Sequence, residues 1–111
     1  MEITTTSYKR CDVVKLVGRL DSDTVSEAEA ALKSLTQAGR HKIVLDMSQV
    51  TFVSSKGWWL LIDVQKACKH LPGGEVVLAS LDERIQRSLN LVAMGSYFKI
   101  FGDVAAAVGS F

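Results

Sequence analysis

The sequence is poor in the residues on which metal sites, disulfide frameworks and membrane spans depend. It has two cysteines and two histidines in 111 residues, and these do not show the paired spacing of a zinc site. Such a low cysteine content is typical of a reducing compartment. No uninterrupted apolar run approaches the roughly 20 residues that span a bilayer, and the first residues lack the basic-then-apolar pattern of a secretory signal. We therefore expect a cytoplasmic protein with no bound metal and no membrane insertion.

The sequence also has little excess charge of either sign. Thirteen Lys and Arg residues against twelve Asp and Glu residues give a formal net charge of +1. A balance of this kind provides no broad field that would attract nucleic acid or an anionic membrane. Hydrophobic residues make up 48% of the chain, which is enough for one core at this length. We expect a single domain over residues 1–111. Any charge-based recognition of a partner should then depend on a local group of side chains and not on the net charge.

The motifs of common enzyme and nucleotide sites are missing as well. There is no Gly-x-Ser-x-Gly elbow and no Walker-type glycine-rich loop. A nucleophilic serine would need a base and an oxyanion site, and the sequence places neither His41 nor His70 near a candidate serine. We expect a protein that is not an enzyme and has no cofactor.

Strand-like and helix-like patterns alternate along the chain in the order β-β-α-β-α-β-α-β-α. This order predicts an α/β fold in which helices pack on one mixed, mostly parallel sheet of about five strands, with right-handed crossovers. We expect the first two strands to form an antiparallel pair. The predicted strands cover residues 3–9, 12–18, 41–46 with the following run 50–53, 75–79 and 98–101; the four predicted helices lie between Thr24 and Gly39 and over residues 57–71, 82–92 and 103–108.

The stretch from Val50 to Trp59 is the strongest candidate site. An apolar strand pattern ends there in two hydroxyls, Ser54 and Ser55, and a long helix pattern begins directly after them. Unpaired N–H groups and the positive end of the helix dipole favour a negative group at such a place. We expect Ser55 to cap this helix and the stretch to form a surface that accommodates an anion.

Several short motifs, taken in order, resemble the STAS domain family and most of all its stand-alone bacterial anti-sigma-factor antagonists. The resemblance covers nearly the whole chain, and it is the order and spacing of the motifs that make it specific. The motifs are Gly18-Arg19-Leu20-Asp21, Ile43-Val44-Leu45-Asp46-Met47-Ser48 through Phe52, and Gly73-Gly74-Glu75-Val76-Val77-Leu78.

The resemblance implies a phosphorylation site at the start of the second helix. The family signature there is typically Asp-Ser-Ser-Gly-Leu-Gly, and a partner kinase, commonly the anti-sigma factor itself, phosphorylates the first Ser. Aligning the signature on Gly57 places Ser55 at the phosphorylated position, with Ser54 as the second candidate. Ser54 stands where the family usually has Asp, Lys56 where it has Ser, and Trp58-Trp59 where it has Leu-Gly.

Side chains around this position suggest a partner-binding surface. Helical spacing places Trp59 on the same side as Asp63, away from the apolar face, so we expect its indole to be exposed. Exposed Trp residues are common interface anchors. We expect Trp58 at the edge of the core, and the resemblance places Asp21 near the same surface. The proposed partner-binding set is Asp21, Ser54, Ser55, Lys56, Trp59 and Asp63.

A plainer interpretation of these residues stays open. Ser55 would then cap the helix and do nothing more, Lys56 would be a solvated cation, and both indoles would fold over neighbouring loops.

Three functions remain at this point. The first is a protein-interaction switch that binds a kinase-like anti-sigma factor and is reversed by phosphorylation of Ser55. The second is an unphosphorylated scaffold in a signalling complex, or an accessory subunit of a lipid transporter, as the resemblance also allows. The third is weak nucleotide or anion binding at the helix N-terminus through Ser54, Ser55 and Lys56.

Overall fold

The computed structural model of the protein describes residues 1–92 and 95–111. The described residues form the expected series of strands and helices. The strands are β1 (Glu2–Ser7), β2 (Asp12–Leu20), β3 (Lys42–Val53), β4 (Glu75–Ala79) and β5 (Ile100–Phe101); the α-helices are α1 (Val25–Gln37), α2 (Ser55–Lys69), α3 (Glu83–Leu91) and α4 (Val104–Gly109), with a short 3₁₀ turn at Gly95–Tyr97.

The five strands lie in one sheet in the order β1-β2-β3-β4-β5. The β1 and β2 strands pair antiparallel, and each later pair is parallel. A parallel connection needs a crossover, and α1, α2 and α3 supply the crossovers between successive parallel strands. This arrangement confirms the predicted α/β class and the mixed, mostly parallel sheet.

The third strand is longer than the sequence patterns predicted. The runs 41–46 and 50–53 belong to one strand of 12 residues. Within its polar middle, the Asp46 carboxylate accepts a hydrogen bond from Ser48 N at 3.0 Å. The pairing with β2 shifts between Lys15 and Val17, which accommodates an extra residue of β3. The β3 strand consequently runs without a break to Val53.

The second strand also extends beyond its predicted end. The segment Gly18 to Asp21 was expected to end the strand, but Arg19 pairs with Phe52 and Leu20 with Val53. Gly18 adopts φ +110°, a conformation that suits glycine, at a second shift in register. The motif thus makes a bulge inside the strand instead of a terminus, and it brings the end of β2 beside the end of β3.

The sheet separates two groups of buried side chains, which alternate along each strand. The larger group lies under α1, α2 and α3, and the smaller group packs against α4. The larger group includes Val14, Leu16, Ile43, Leu45, Val76 and Leu78, and the smaller group includes Val13, Val44, Val77, Ala79 and Ala107. Three helices therefore pack on one face, where they position the candidate site.

Helical spacing in the sequence predicts that the buried face of α2 consists of Leu60, Leu61, Val64, Ala67, Cys68 and Leu71, and the observed face differs in detail. Leu61, Val64 and Cys68 are buried as expected, whereas Ala67 and Leu71 are exposed. Gln65 is buried instead, and its amide oxygen accepts a hydrogen bond from Val76 N at 2.6 Å while its amide nitrogen donates to Val76 O at 2.9 Å. A polar residue can lie in this face because it bonds the backbone of β4 in both directions.

Candidate functional site

The N-terminus of α2 is capped by Ser54. This residue has extended backbone angles, its Oγ accepts a hydrogen bond from Gly57 N at 3.1 Å, and its carbonyl accepts one from Trp58 N at 3.0 Å. The prediction that Ser55 is the cap is therefore wrong by one residue. The reason is that β3 stays extended through residue 54, so the last extended hydroxyl makes the cap. Asp and Ser both serve well at an N-cap, so Ser54 can replace the Asp of the family signature without loss of the helix start.

Ser55 is the first residue of α2, and it is exposed. Its hydroxyl is not the one that accepts the capping hydrogen bond, so a modification at Ser55 Oγ leaves the cap in place. The N–H groups of the first turn and the helix dipole favour an anion at this position. The accessibility of Ser55 thus agrees with the sequence-based expectation, although its capping role does not.

Gly57 allows a close contact between α2 and the end of β2. A Cβ atom at this position would lie 2.8 Å from the Leu20 carbonyl oxygen and 3.0 Å from Val53 Cγ1. The Leu20 carbonyl cannot easily move away, because it accepts a hydrogen bond from Ser54 N at 2.9 Å. Only glycine therefore lets the first turn of α2 approach the strand ends this closely.

Asp21 lies in the turn that follows β2, one residue beyond Leu20. Its Oδ1 accepts a hydrogen bond from Asp23 N at 3.0 Å, and its Oδ2 lies 3.4 Å from Arg19 Nε. The hydrogen bond from the Asp23 backbone and the interaction with Arg19 together hold the pKa of Asp21 below its usual value, although partial desolvation acts in the opposite direction. This carboxylate stabilises its own turn. It lies at the same end of the sheet as Ser54.

The three other predicted contact residues line a shallow pocket of about 300 Å³ between α1 and α2. Lys56, Trp59 and Asp63 lie on α2, with Ser26 and Glu29 opposite them on α1. The indole of Trp59 is 53% exposed, as helical spacing predicted. The structure thus places these three side chains together on one side of the α2 N-terminus.

A larger groove of about 930 Å³ lies on the other side of the α2 N-terminus, between the end of β3 and α3. Sequence reasoning missed this groove, and only Ser54 and Ser55 of its lining residues were predicted. Its other lining residues include Arg19, Phe52, Arg84, Arg87, Ser88 and Leu91. The one available signal was Leu91, an apolar residue that lies off the Ile85 and Leu89 stripe of α3. Ser54 and Ser55 thus form one end of this groove as well.

A partly buried chain of two hydrogen bonds connects α2, α3 and the end of β3. Trp58 Nε1 donates to Ser88 Oγ at 2.9 Å, and Ser88 Oγ donates to the Val53 carbonyl at 3.2 Å. Trp58 is fully buried, so the prediction that it lies at the edge of the core is wrong. Its indole fits inside because Ser88 satisfies its N–H group. The two adjacent Trp residues therefore differ: Trp58 belongs to the core and Trp59 to the surface.

The histidine, cysteine and acidic residues within residues 1–92 and 95–111 do not form a metal site. These residues contain no group of three His, Cys, Asp or Glu side chains that could hold a metal ion. Cys11 and Cys68 are both buried, and burial raises the pKa of the Cys68 thiol to about 11. Across the described parts of the chain, none of the helices has the length and apolar character needed to cross a membrane.

Comparisons with known proteins agree with this architecture. A family model described as the STAS domain matches residues 2–107. The chain is 28% identical over 94 residues to the anti-sigma-B factor antagonist of Staphylococcus aureus, a match that covers 85% of this chain and 86% of that protein.

Two solved structures share the fold. An anti-sigma factor antagonist from Mycobacterium paratuberculosis superposes with a TM-score of 0.88 at 18% identity, covering 98% of this chain and 92% of that one. The Bacillus cell fate determinant SpoIIAA in its phosphorylated form superposes with a TM-score of 0.74 at 16% identity, covering 98% of each chain. At these identities the two structures support the fold alone.

Proposed function

The chain belongs to the STAS domain family, and we propose that it acts as an anti-sigma-factor antagonist, a regulatory protein and not an enzyme. Its partner is a kinase-like anti-sigma factor, which binds around the N-terminus of α2 and releases a sigma factor. The Staphylococcus aureus relative is named for this function, and this chain matches it over most of its length, which supports the assignment. A role within the cytoplasm follows from this function.

The observation that carries the proposal is the exposed Ser55 at the first position of α2, with the half-exposed indole of Trp59 one helical turn away. The hydroxyl can be reached by a kinase, and the indole can anchor a partner. Lys56 and Asp63 lie in the same pocket as Trp59 and provide charges at its rim. Asp21, at the end of β2, and Ser54 complete the proposed contact surface.

Phosphorylation of Ser55 is the proposed switch, with Ser54 as the second candidate hydroxyl. A phosphoryl group adds roughly −1.5 to −2 charges at neutral pH, and the N-terminus of α2 tolerates an anion. Because Ser54 already provides the cap, the modification should leave the domain folded and change only the surface that the partner meets. That SpoIIAA, which shares the fold, is known in a phosphorylated form supports this idea.

The test uses the anti-sigma factor encoded near this protein's gene, with ATP, followed by phosphopeptide mass spectrometry. We expect one phosphoryl group on Ser55 and none in the Ser55→Ala variant. Trp59→Ala should weaken partner binding at least tenfold while leaving the melting temperature nearly unchanged, because the indole is exposed. The Leu71→Ala variant is a matched control, since Leu71 is also exposed on this segment but lies beyond the opposite end of α2.

Two experimental results would contradict the proposal. Partner binding that is equally tight in wild type, Ser55→Asp and Trp59→Ala would exclude this surface as the contact. An unmodified Ser55 after incubation with a partner that does bind would remove the switch and leave the antagonist role intact.

The departures from the signature favour one alternative, an unphosphorylated scaffold of a signalling complex or an accessory subunit of a lipid transporter. Ser54 and Lys56 replace an Asp and a Ser, which changes the local charge by about two units relative to the signature and alters how a kinase would meet Ser55. Neighbouring genes for a transporter ATPase and permease, in place of a kinase and a sigma factor, would support this alternative. Calorimetry with phosphate and with nucleotides tests the weaker prediction of anion binding at the same helix N-terminus.

A further inference from the structure

The groove between β3 and α3 combines cationic and apolar side chains on the side of Ser55 that faces away from Trp59. Its cations are Arg19, Arg84 and Arg87, of which the last two lie three residues apart and so on one side of α3. The exposed apolar contributions come from Phe52, which is 40% exposed, and Leu91, which is 86% exposed. Both kinds of side chain line the same concave surface.

Two of the three guanidinium groups, those of Arg84 and Arg87, can accept a new partner, whereas Arg19 already contacts Asp21 Oδ2 at 3.4 Å and the ring of Phe52. Arg84 lies 3.7 Å from an Asp82 carboxylate oxygen, and Arg87 lies 3.5 Å from one of Glu83. Exposed pairs at such distances contribute little. A planar guanidinium binds an incoming carboxylate more strongly when two parallel hydrogen bonds can form. These arginines can therefore exchange their present neighbours for the carboxylates of another molecule.

The apolar residues of the groove are also arranged for contact. Phe52 lies at the end of β3 with Arg19 stacked 4.3 Å above the centre of its ring, so ring and cation form one continuous surface. Leu91, at the end of α3, leaves most of its side chain in solvent, although Ile85 and Leu89 of the same helix are buried. An exposed apolar area that is bordered by arginines has the composition of an interface hot spot.

We propose that this groove docks an acidic segment of a protein partner, which places carboxylates on Arg84 and Arg87 and an apolar side chain on Phe52 and Leu91. The arginines of the groove favour an acidic occupant. Phe52 and Leu91 favour an occupant that also carries an apolar side chain. The proposal rests on the proposed function in taking the occupant to be a protein. It adds a second contact surface, distinct from the pocket of Trp59.

The position of Ser55 links the groove to the switch. Because Ser55 is part of the groove wall, a phosphoryl group on it would bring negative charge to the guanidinium groups that the acidic segment needs. The phosphate would attract these arginines and repel the incoming carboxylates. Phosphorylation would then weaken docking in the groove without moving a helix.

The test does not require the anti-sigma factor. A short fluorescein-labelled peptide of glutamates and leucines is titrated into the protein, and its anisotropy is followed together with the amide NMR spectrum. Two control peptides replace the glutamates by lysine or the leucines by serine. The test variant is Arg84→Glu/Arg87→Glu, and the matched control is Lys66→Glu/Lys69→Glu. The control makes the same change of charge at the same spacing in α2, outside the groove.

We expect the acidic, leucine-containing peptide to bind and to shift amides of residues 52–55 and 84–91. Affinity should fall at least about tenfold in Arg84→Glu/Arg87→Glu, stay within about twofold in the lysine variant, and weaken as the ionic strength rises from about 0.1 M to about 1 M. Arg84→Gln/Arg87→Gln, which introduces no repulsion, should lose less affinity. The circular dichroism spectrum of each variant confirms that it is folded.

Three results would overturn the proposal. They are equal binding of the lysine peptide, amide shifts confined to other surfaces, and binding to vesicles of anionic phospholipid without binding to the peptide. A chain that binds the acidic peptide but no anti-sigma factor would contradict the proposed function and leave the groove assignment standing. If the anti-sigma factor binds the wild type and the Arg84→Glu/Arg87→Glu variant equally well, the groove assignment is contradicted and the proposed function stands.

Discussion

Replacing Gly57 by alanine tests the close contact on which the candidate site is built. Alanine is the better helix former by about 1 kcal/mol in a helix interior, so propensity alone predicts a more stable protein. The contact geometry predicts the opposite, because the new Cβ would lie 2.8 Å from the Leu20 carbonyl oxygen. The sign of the change in unfolding free energy therefore decides between the two effects.

The size of the change in unfolding free energy depends on which of the neighbouring atoms can move. Besides the Leu20 oxygen, the Cβ would meet Leu20 Cγ and Val53 Cγ1, each at 3.0 Å. The Leu20 carbonyl is held by Ser54 N at 2.9 Å, and Val53 is buried. Forcing a methyl group into such a site typically costs about 1–3 kcal/mol. After subtraction of the gain of about 1 kcal/mol in helix propensity, we expect Gly57→Ala to lower the unfolding free energy by up to about 2 kcal/mol.

Urea denaturation followed by tryptophan fluorescence and circular dichroism measures this change. Gly109→Ala is the matched control, because Gly109 ends α4 and an added Cβ there would have no atom within 4 Å. It should be neutral or stabilising by up to about 1 kcal/mol. A Gly57→Ala protein that is more stable than wild type by about 1 kcal/mol, as helix propensity alone predicts, would show that the approach of α2 to β2 is not tight.

Three further predictions test buried polar groups, one beside the site at Ser88 and two elsewhere in the domain. Ser88→Ala leaves the buried Trp58 N–H without its acceptor at 2.9 Å, and we expect chemical denaturation to show a loss of about 1–3 kcal/mol that is smaller in a Trp58→Phe background. Arg40→Ala removes the partner of the buried Asp12 carboxylate, whose Oδ2 accepts from Arg40 Nε at 2.7 Å; we expect a lower melting temperature, and an unchanged one would refute the reasoning. Burial raises the pKa of Cys68 from 9.0 to about 11, so between these pH values only the unfolded thiol ionises and stability falls as pH rises, by up to about 2–3 kcal/mol. The same decline in a Cys68→Ala variant would contradict this assignment.

Local patterns were sufficient to identify most of the helices and strands. Strand β4 lies where the patterns placed it and helix α3 within one residue of its predicted bounds, because hydrophobic periodicity depends only on neighbours in the chain. The errors lie where strands pair. The pattern around Gly18 indicates a strand end when it is considered alone, and only the neighbouring β3 makes it a bulge within a longer strand.

The sequence by itself determined the α/β class, the STAS resemblance, the hydroxyl pair at the start of α2 and the outward direction of Trp59, because these depend on spacing along a few turns of chain. Tertiary structure alone decided that Ser54 is the cap, since this depends on how far β3 stays extended against β2. It also decided that Trp58 is buried, since its N–H group finds Ser88 on another helix. The arginine-lined groove likewise joins residues from β2, β3 and α3. Contacts between elements distant in sequence leave no periodic signal in any of them, so they appear only when the chain is folded.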